Sequence, residues 1–175
     1  MEYKAQLQQY LGSWNTKRVV SSVGSDPVKF DMLISFMKGD DKQVAARAAH
    51  AVTHCFKADP AIVDPYLNDF IDLMLIPDQQ DGIVRNVLRT LQFTEIPEDK
   101  MGEVLERCFE LIISEKAAVA LRAFSITVAY RITNYYPELK KELKLVLDDL
   151  VDHSSPAIRS RGGKTHKKLI KELKR

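Results

Sequence analysis

One short pattern recurs four times along the chain, and it restricts the possible folds more than any other feature. Each copy begins with a branched apolar residue, and in three of the four copies an Arg follows three positions later. The copies begin at Val44, Val84, Val119 and Ile158, so the period is 35 to 40 residues. A repeat of this length is typical of stacked helical hairpins, in which each hairpin buries the apolar side of its neighbour.

The residues between the copies predict helices throughout. Asp26-Pro27 is typical of an N-cap followed by the first helical residue. Similar signals predict further helix starts at Asp41, Asp59-Pro60, Asp64-Pro65, about Asp81, Pro97, Ala117, Pro137 and Ser155-Pro156. No alternating strand pattern is present. The predicted fold is therefore all-α, an α–α superhelix or solenoid of about four to five helical hairpins with nine to ten helices.

We expect a single repeat domain over residues 1–175. Residues 1–25 should form a divergent N-terminal cap, with a helix over residues 2–11, a break at Gly12-Ser13 and a second helix from Asn15 to about residue 24. Residues 156–175 should form a basic C-terminal helix that caps the stack, because the last helix of such a stack needs a polar outer face.

Composition narrows the class of protein. Hydrophobic residues make up 45% of the chain and charged residues 29%, as in ordinary soluble domains. The first residues carry no apolar signal segment, and the longest apolar run, residues 117–130, is too short to cross a bilayer. Cys55 and Cys108 lack paired spacing, which is typical of reduced, buried thiols. We therefore expect a cytoplasmic monomer without membrane contact.

The net charge of +2 is unevenly distributed. Residues 156–175 hold eight Lys or Arg and one Glu, a net charge of +7, so the other 155 residues carry −5. Six Asp and no Lys or Arg lie between Ala58 and Val84. The basic end predicts either a solvated capping helix or a surface for an acidic protein or a nucleic acid. Its candidate anion-binding side chains are Arg159, Arg161, Lys164, Lys167 and Lys168.

Aromatic residues are absent from this basic segment, so base stacking is not expected there. Two other patterns suggest chemistry but lack essential residues. His50 and His54 have the spacing of a shared metal site, but Ala51 stands where zinc proteases have Glu. Gly163-Lys164-Thr165 is similar to the end of a phosphate loop, but Ile158 replaces its first Gly. We therefore expect no metal, no cofactor and no catalytic residue.

The recurring pattern resembles that of HEAT repeats, in which an Asp before the first helix and an Arg within it form a ladder between repeats. Asp41 and Arg47 match both positions, and Asp81 matches without its Arg. Arg122 and Arg161 match without a clear Asp. The resemblance covers about residues 26–175 and implies an α-solenoid whose second helices line a concave surface. We expect the ladder residues to tie repeats together, although an Arg row that faces an acidic ligand is the alternative.

The resemblance implies interaction more often than catalysis, so our leading prediction is a non-catalytic scaffold that binds a protein or peptide. The alternative is a nucleic-acid-binding protein similar to the HEAT-like alkylpurine DNA glycosylases, which use a basic concave face, an aromatic residue and a carboxylate. Here Trp14 lies in the N-terminal cap and the basic residues cluster at one end. A third alternative is an enzyme, because short bacterial chains that resemble this one carry an adenylosuccinate lyase label. The Ser-rich loop typical of those lyases is absent.

Overall fold

The structure, a computed structural model, describes residues 12–153 and 155–174, and the side chains from 16 to 150 and from 155 to 174. Within these residues the regular structure is helical and no strand occurs. The α-helices are α1 (Gly12–Val23), α2 (Pro27–Met37), α3 (Lys42–Ala58), α4 (Leu67–Leu75), α5 (Asp81–Leu91), α6 (Glu98–Ile113), α7 (Val119–Ile132), α8 (Lys140–His153) and α9 (Pro156–Leu173). Two 3-10 helices, Pro60–Tyr66 and Pro137–Leu139, precede α4 and α8. The predicted all-α repeat fold is confirmed.

Local polar signals set several of the helix starts. Asp26 and Asp41 are the N-caps of α2 and α3, and their side chains accept hydrogen bonds of 3.0 to 3.3 Å from N–H groups of the first turn. Pro27 and Pro156 stand at the first positions of α2 and α9. These residues satisfy or remove donors that have no partner inside the helix. The cap signals in the sequence therefore locate these helices correctly.

Two other predicted boundaries are wrong, and the helix predicted over residues 2–11 lies outside the described residues. Asp64-Pro65 does not start a helix. Asp59 has already capped the 3-10 helix by accepting a hydrogen bond from the Ala61 N–H at 3.2 Å, so the later signal falls inside that helix and α4 begins at Leu67. The helix start predicted at Asn15 is also wrong, because Gly12, Ser13 and Asn15 all belong to α1. Glycine and serine are acceptable at a helix N-terminus, which explains this error.

The chain divides into two compact units at Glu95–Ile96. In the first unit α3 is the central helix, and it packs against α1, α2 and α5. Many of its buried residues are alanines, so neighbouring helices come close: a Cβ added at Gly82 of α5 would lie 3.1 Å from the Ala46 Cβ. Along the same contact, the buried Thr53 donates from its Oγ1 to Asn86 Oδ1 at 3.2 Å. The single domain expected over residues 1–175 stays a prediction.

In the second unit α7 is the helix with most neighbours. It packs against α6, α8 and α9, and α9 also packs against α8. The side chains of Leu121, Ile126, Val128 and Ala129 are buried, as the nearly continuous apolar sequence of α7 predicts. One strip of α7, which includes Phe124, remains half-exposed beside α9. That strip is where the candidate site lies.

Both cysteines are free thiols, and both are buried. Burial raises the pKa of Cys55 to about 11 and that of Cys108 to about 12. Because only the thiolate is nucleophilic, we expect dithionitrobenzoate at mildly alkaline pH to label both thiols at least about 100-fold more slowly in the folded protein than in denaturant. Absorbance of the released thionitrobenzoate measures both rates. Rapid labelling of either thiol without denaturant would contradict this expectation.

Candidate anion-binding groove

An open groove of about 780 Å³ lies between α7 and α9 in the second unit. The α7 wall consists of Val119, Ala120, Ala123, Phe124, Thr127 and Tyr130. The α9 wall consists of Ala157, Ser160, Arg161, Lys164, Thr165 and Lys168. Spacings of three and four residues place each set on one face of its helix. This α7–α9 groove therefore has a largely apolar and aromatic wall opposite a wall that carries three cations.

Cation–ring contacts connect the two walls. The guanidinium carbon of Arg161 lies 5.4 Å from the centre of the Phe124 ring, and Lys168 Nζ lies 5.3 Å from the centre of the Tyr130 ring. Such contacts stabilise an exposed cation by about 0.5–1 kcal/mol. Arg161 Nη1 also donates to Thr127 Oγ1 at 3.0 Å. These contacts hold Arg161 and Lys168 along the groove instead of in bulk solvent.

An ionised carboxylate lies beside Tyr130. The Tyr130 hydroxyl donates to Glu172 Oε1 at 2.6 Å, and Lys140 Nζ lies 2.9 Å from Glu172 Oε2. The hydrogen bonds from Tyr130 and then Lys140 lower the pKa of Glu172. Burial, together with the hydrogen bond to Glu172, raises the pKa of Tyr130 to about 12. The Glu172 carboxylate is thus paired within the unit. Lys164 is exposed along the groove.

The five predicted cations separate into two sets. Arg161, Lys164 and Lys168 line the groove, whereas Arg159 and Lys167 are exposed on other faces of α9. Phe124 and Tyr130 were not predicted, because they belong to the preceding repeat and only the fold brings them beside α9. The signal that could have found them is the three-residue spacing of Phe124, Thr127 and Tyr130, which gives α7 one face that is not aliphatic.

The predicted ladder residues occupy several environments. Asp41 caps α3, Arg47 is half-buried within α3, and Asp81 is exposed in the first turn of α5. Arg122 Nε donates to the Ile112 carbonyl oxygen at 3.0 Å, which joins α7 to the last turn of α6. A ladder between repeats stays a prediction for these four residues.

The remaining sequence candidates have clear positions. Gly163-Lys164-Thr165 lies inside α9, so its backbone does not form a phosphate loop. The rings of His50 and His54 contact each other, with centres 4.7 Å apart. In the described part of the chain, no group of three or more His, Cys, Asp or Glu is placed to hold a metal ion. None of the described helices combines the length and the apolar character needed to cross a membrane.

The stacked helices and the groove between two of them define a helical-repeat protein. A family model described as a HEAT repeat domain matches residues 3–169. The chain therefore belongs to the HEAT repeat family, and the resemblance carried by the recurring pattern is confirmed. No curated protein and no solved structure shows a significant match. The protein is thus a repeat protein of the scaffold type, a class that often mediates protein interactions.

Proposed function

We propose that this protein is a non-catalytic scaffold that binds an acidic, partly apolar segment of a partner protein in the α7–α9 groove. One observation carries the proposal: Arg161, Lys164 and Lys168 stand opposite the apolar and aromatic wall of α7 in the same groove. Cations confer selectivity for carboxylates, and the apolar wall supplies area that a peptide can bury. A segment that alternates acidic and apolar side chains would use both walls.

A nucleic acid is the second candidate, because Phe124 and Tyr130 provide rings beside a basic helix and bases stack on such rings. One observation favours the peptide. Arg161 and Lys168 already lie over these two rings, so a base would have to displace them.

Fluorescence anisotropy with three labelled probes tests the proposal. The probes are a peptide of alternating Glu and Leu, the same peptide with Gln in place of Glu, and a short DNA duplex. We expect the Glu peptide to bind at least about tenfold more tightly than the Gln peptide, because only the Glu peptide forms charge-assisted contacts. The peptide assignment would be contradicted if the duplex bound more tightly than the Glu peptide and its binding were strongly salt-dependent. The logarithm of the binding constant would then fall with the logarithm of the salt concentration with a slope of about −0.9 per phosphate contacted.

The proposed scaffold is a monomer, because the groove lies within a single unit of one chain and requires no second copy. We further propose that it acts in the cytoplasm. Sedimentation measures the oligomeric state, and a pull-down from cytoplasm with and without nuclease identifies the class of partner. Partners that bear acidic segments and survive nuclease treatment would agree with the scaffold. Partners that all disappear on nuclease treatment would contradict it.

A further inference from the structure

The first unit contains a second cluster of cations and imidazoles, which the proposed function does not use. His50, His54 and Lys57 belong to α3, and Arg85 and Arg89 belong to α5. The His50 and His54 rings meet edge to face, with centres 4.7 Å apart, and Thr16 Oγ1 of α1 lies 3.5 Å from His50 Nδ1. Both imidazoles, as well as Arg89, are partly exposed, so a small ligand can reach them.

The register of α3 against α5 places these side chains on one surface. Ala46 meets Gly82 near the start of both helices, and Thr53 meets Asn86 further along, so the two helices run parallel. We view both helices from their N-terminal ends and define the contact line of each as the line through its residues that touch the other helix. At about 100° per residue, His50 and His54 are rotated clockwise from the contact line of α3. Arg85 and Arg89 are rotated anticlockwise from the contact line of α5. Because the two contact lines face each other, these opposite rotations turn both pairs towards the same side.

The charged groups that act on the imidazole pair are all cations. Burial is the main cause that lowers the pKa of His50, followed by His54, Arg89, Arg85 and Lys57. Burial is also the main cause for His54, followed by Lys57 and Arg89. Charged groups of α1, α2 and the 3-10 helix, the other elements packed on α3, do not shift either imidazole in the described structure. Without a ligand, both histidines are therefore neutral at physiological pH.

We propose that His50, His54, Arg85 and Arg89 form a binding site for a phosphate group that carries two negative charges. Arginine suits this ligand because its planar fork donates two parallel hydrogen bonds to phosphate oxygens. The imidazoles supply further N–H donors, and protonation gives each of them a second one. The site lies in the first unit and does not depend on the proposed peptide groove, so either can fail without the other.

Binding at this site is coupled to proton uptake. The dianion supplies the negative charge that the cluster lacks, so it raises the pKa of both histidines, and affinity for the dianion itself should increase as pH falls from about 8 to about 6. Because phosphate also takes up a proton in this range, the affinity is expressed per concentration of dianion. The free protein should show the opposite sign in stability. Because the folded-state pKa of each histidine is lowered, the unfolded chain takes up protons first, and stability is lost as pH falls below about 6.5. Phosphate should offset that loss.

Proton–carbon NMR of the imidazole signals tests the proposal directly. Titration with inorganic phosphate at matched ionic strength should shift the His50 and His54 signals. The apparent Kd, expressed as the concentration of the dianion present at each pH, should be at least about fivefold lower near pH 6 than near pH 8. His166 is an internal reference because its Nε2 lies 2.5 Å from Asp148 Oδ1 in the second unit. Unchanged His50 and His54 signals, or shifts equal to those produced by chloride, would overturn the proposal.

A matched pair of variants separates the site from general charge effects. Replacing Arg85 and Arg89 with Gln should weaken phosphate binding at least about tenfold, because the guanidinium fork is lost. In the absence of phosphate, the same double variant should raise the pKa of His50 and His54, because the positive charges of the two guanidinium groups are removed. This change can be measured independently of phosphate binding. Lys167→Gln with Lys171→Gln removes the same charge and should change neither result. Equal phosphate affinity in the two double variants would overturn the site.

The phosphate can be free or can belong to a phosphoserine on a partner protein. A phosphoserine peptide that competes better than inorganic phosphate, while its serine counterpart does not compete, assigns the site to a partner. Equal competition by the peptide and inorganic phosphate assigns it to free phosphate, and both results support the site. A DNA duplex that displaces phosphate more effectively than either probe would overturn the dianion assignment, because its phosphodiesters carry single charges.

Discussion

Reversing the charge of Lys164 and Lys168 together should weaken binding of the alternating Glu and Leu peptide by at least about thirtyfold. Both side chains line the groove, and a pair of charge-assisted contacts would be replaced by repulsion. Anisotropy at physiological salt measures the change. Lys164→Gln with Lys168→Gln should shift affinity in the same direction by a smaller factor, because it removes attraction without adding repulsion.

The matched control for this reversal lies on the same helix. Lys167 and Lys171 are exposed residues of α9 that do not line the groove, so Lys167→Glu with Lys171→Glu gives the same change in net charge. We expect the affinity of that variant to fall by less than about threefold. Only long-range attraction between the helix and the peptide is lost, and salt screens that attraction. Comparable losses in the two double variants would show that general charge, and not the groove, attracts the peptide. Thermal melts confirm that both variants remain folded.

Truncating Phe70 should destabilise the first unit by about 3–5 kcal/mol. The side chain is 1% exposed in α4, so Phe70→Ala removes buried apolar surface and leaves a cavity. The free energy of unfolding obtained from denaturant titration measures the loss. This is a large part of the 5–15 kcal/mol that is typical of a folded domain. We therefore expect a lower yield of folded protein for this variant.

Phe93 provides the control for this truncation, because it belongs to the same unit but is 72% exposed just beyond α5. Phe93→Ala should change the free energy of unfolding by less than about 0.5 kcal/mol. A loss at Phe93 as large as that at Phe70 would show that the buried position of Phe70 and the exposed position of Phe93 are wrong. A loss only at Phe70 supports it.

The fold could be predicted well because its signals are local. An Asp side chain that caps a helix acts within three residues, so Asp26 and Asp41 located α2 and α3 from the sequence. Asp64-Pro65 failed for a local reason as well, since the cap at Asp59 had already started a tighter helix. Two overlapping start signals cannot be ranked from sequence without knowing which residues become buried. Leu67, the first residue of α4, is buried, whereas Asp64 and Pro65 are exposed.

The candidate site was harder to predict because it depends on packing between repeats. The basic character of α9 was visible in the sequence, and so were the five cations considered for binding. Which of them share a groove depends on how α9 is rotated against α7, and no local signal gives that rotation. The same rotation brings Phe124 under Arg161 and Tyr130 under Lys168. The expectation that bases do not stack at the basic segment considered only the aromatic residues within that segment, whereas Phe124 and Tyr130 come from another helix.

The close approach of α5 to α3 at Gly82 has a consequence for ligand size. A methyl group there would meet the Ala46 Cβ at 3.1 Å, so Gly82→Ala would push the helices apart by a few tenths of an ångström. Contact at this glycine thus limits the distance between the backbone segments that carry the imidazoles and the guanidinium groups. In the proposed phosphate site, an uncharged position without a side chain would therefore influence the size of anion that the charged side chains on either side can bind together.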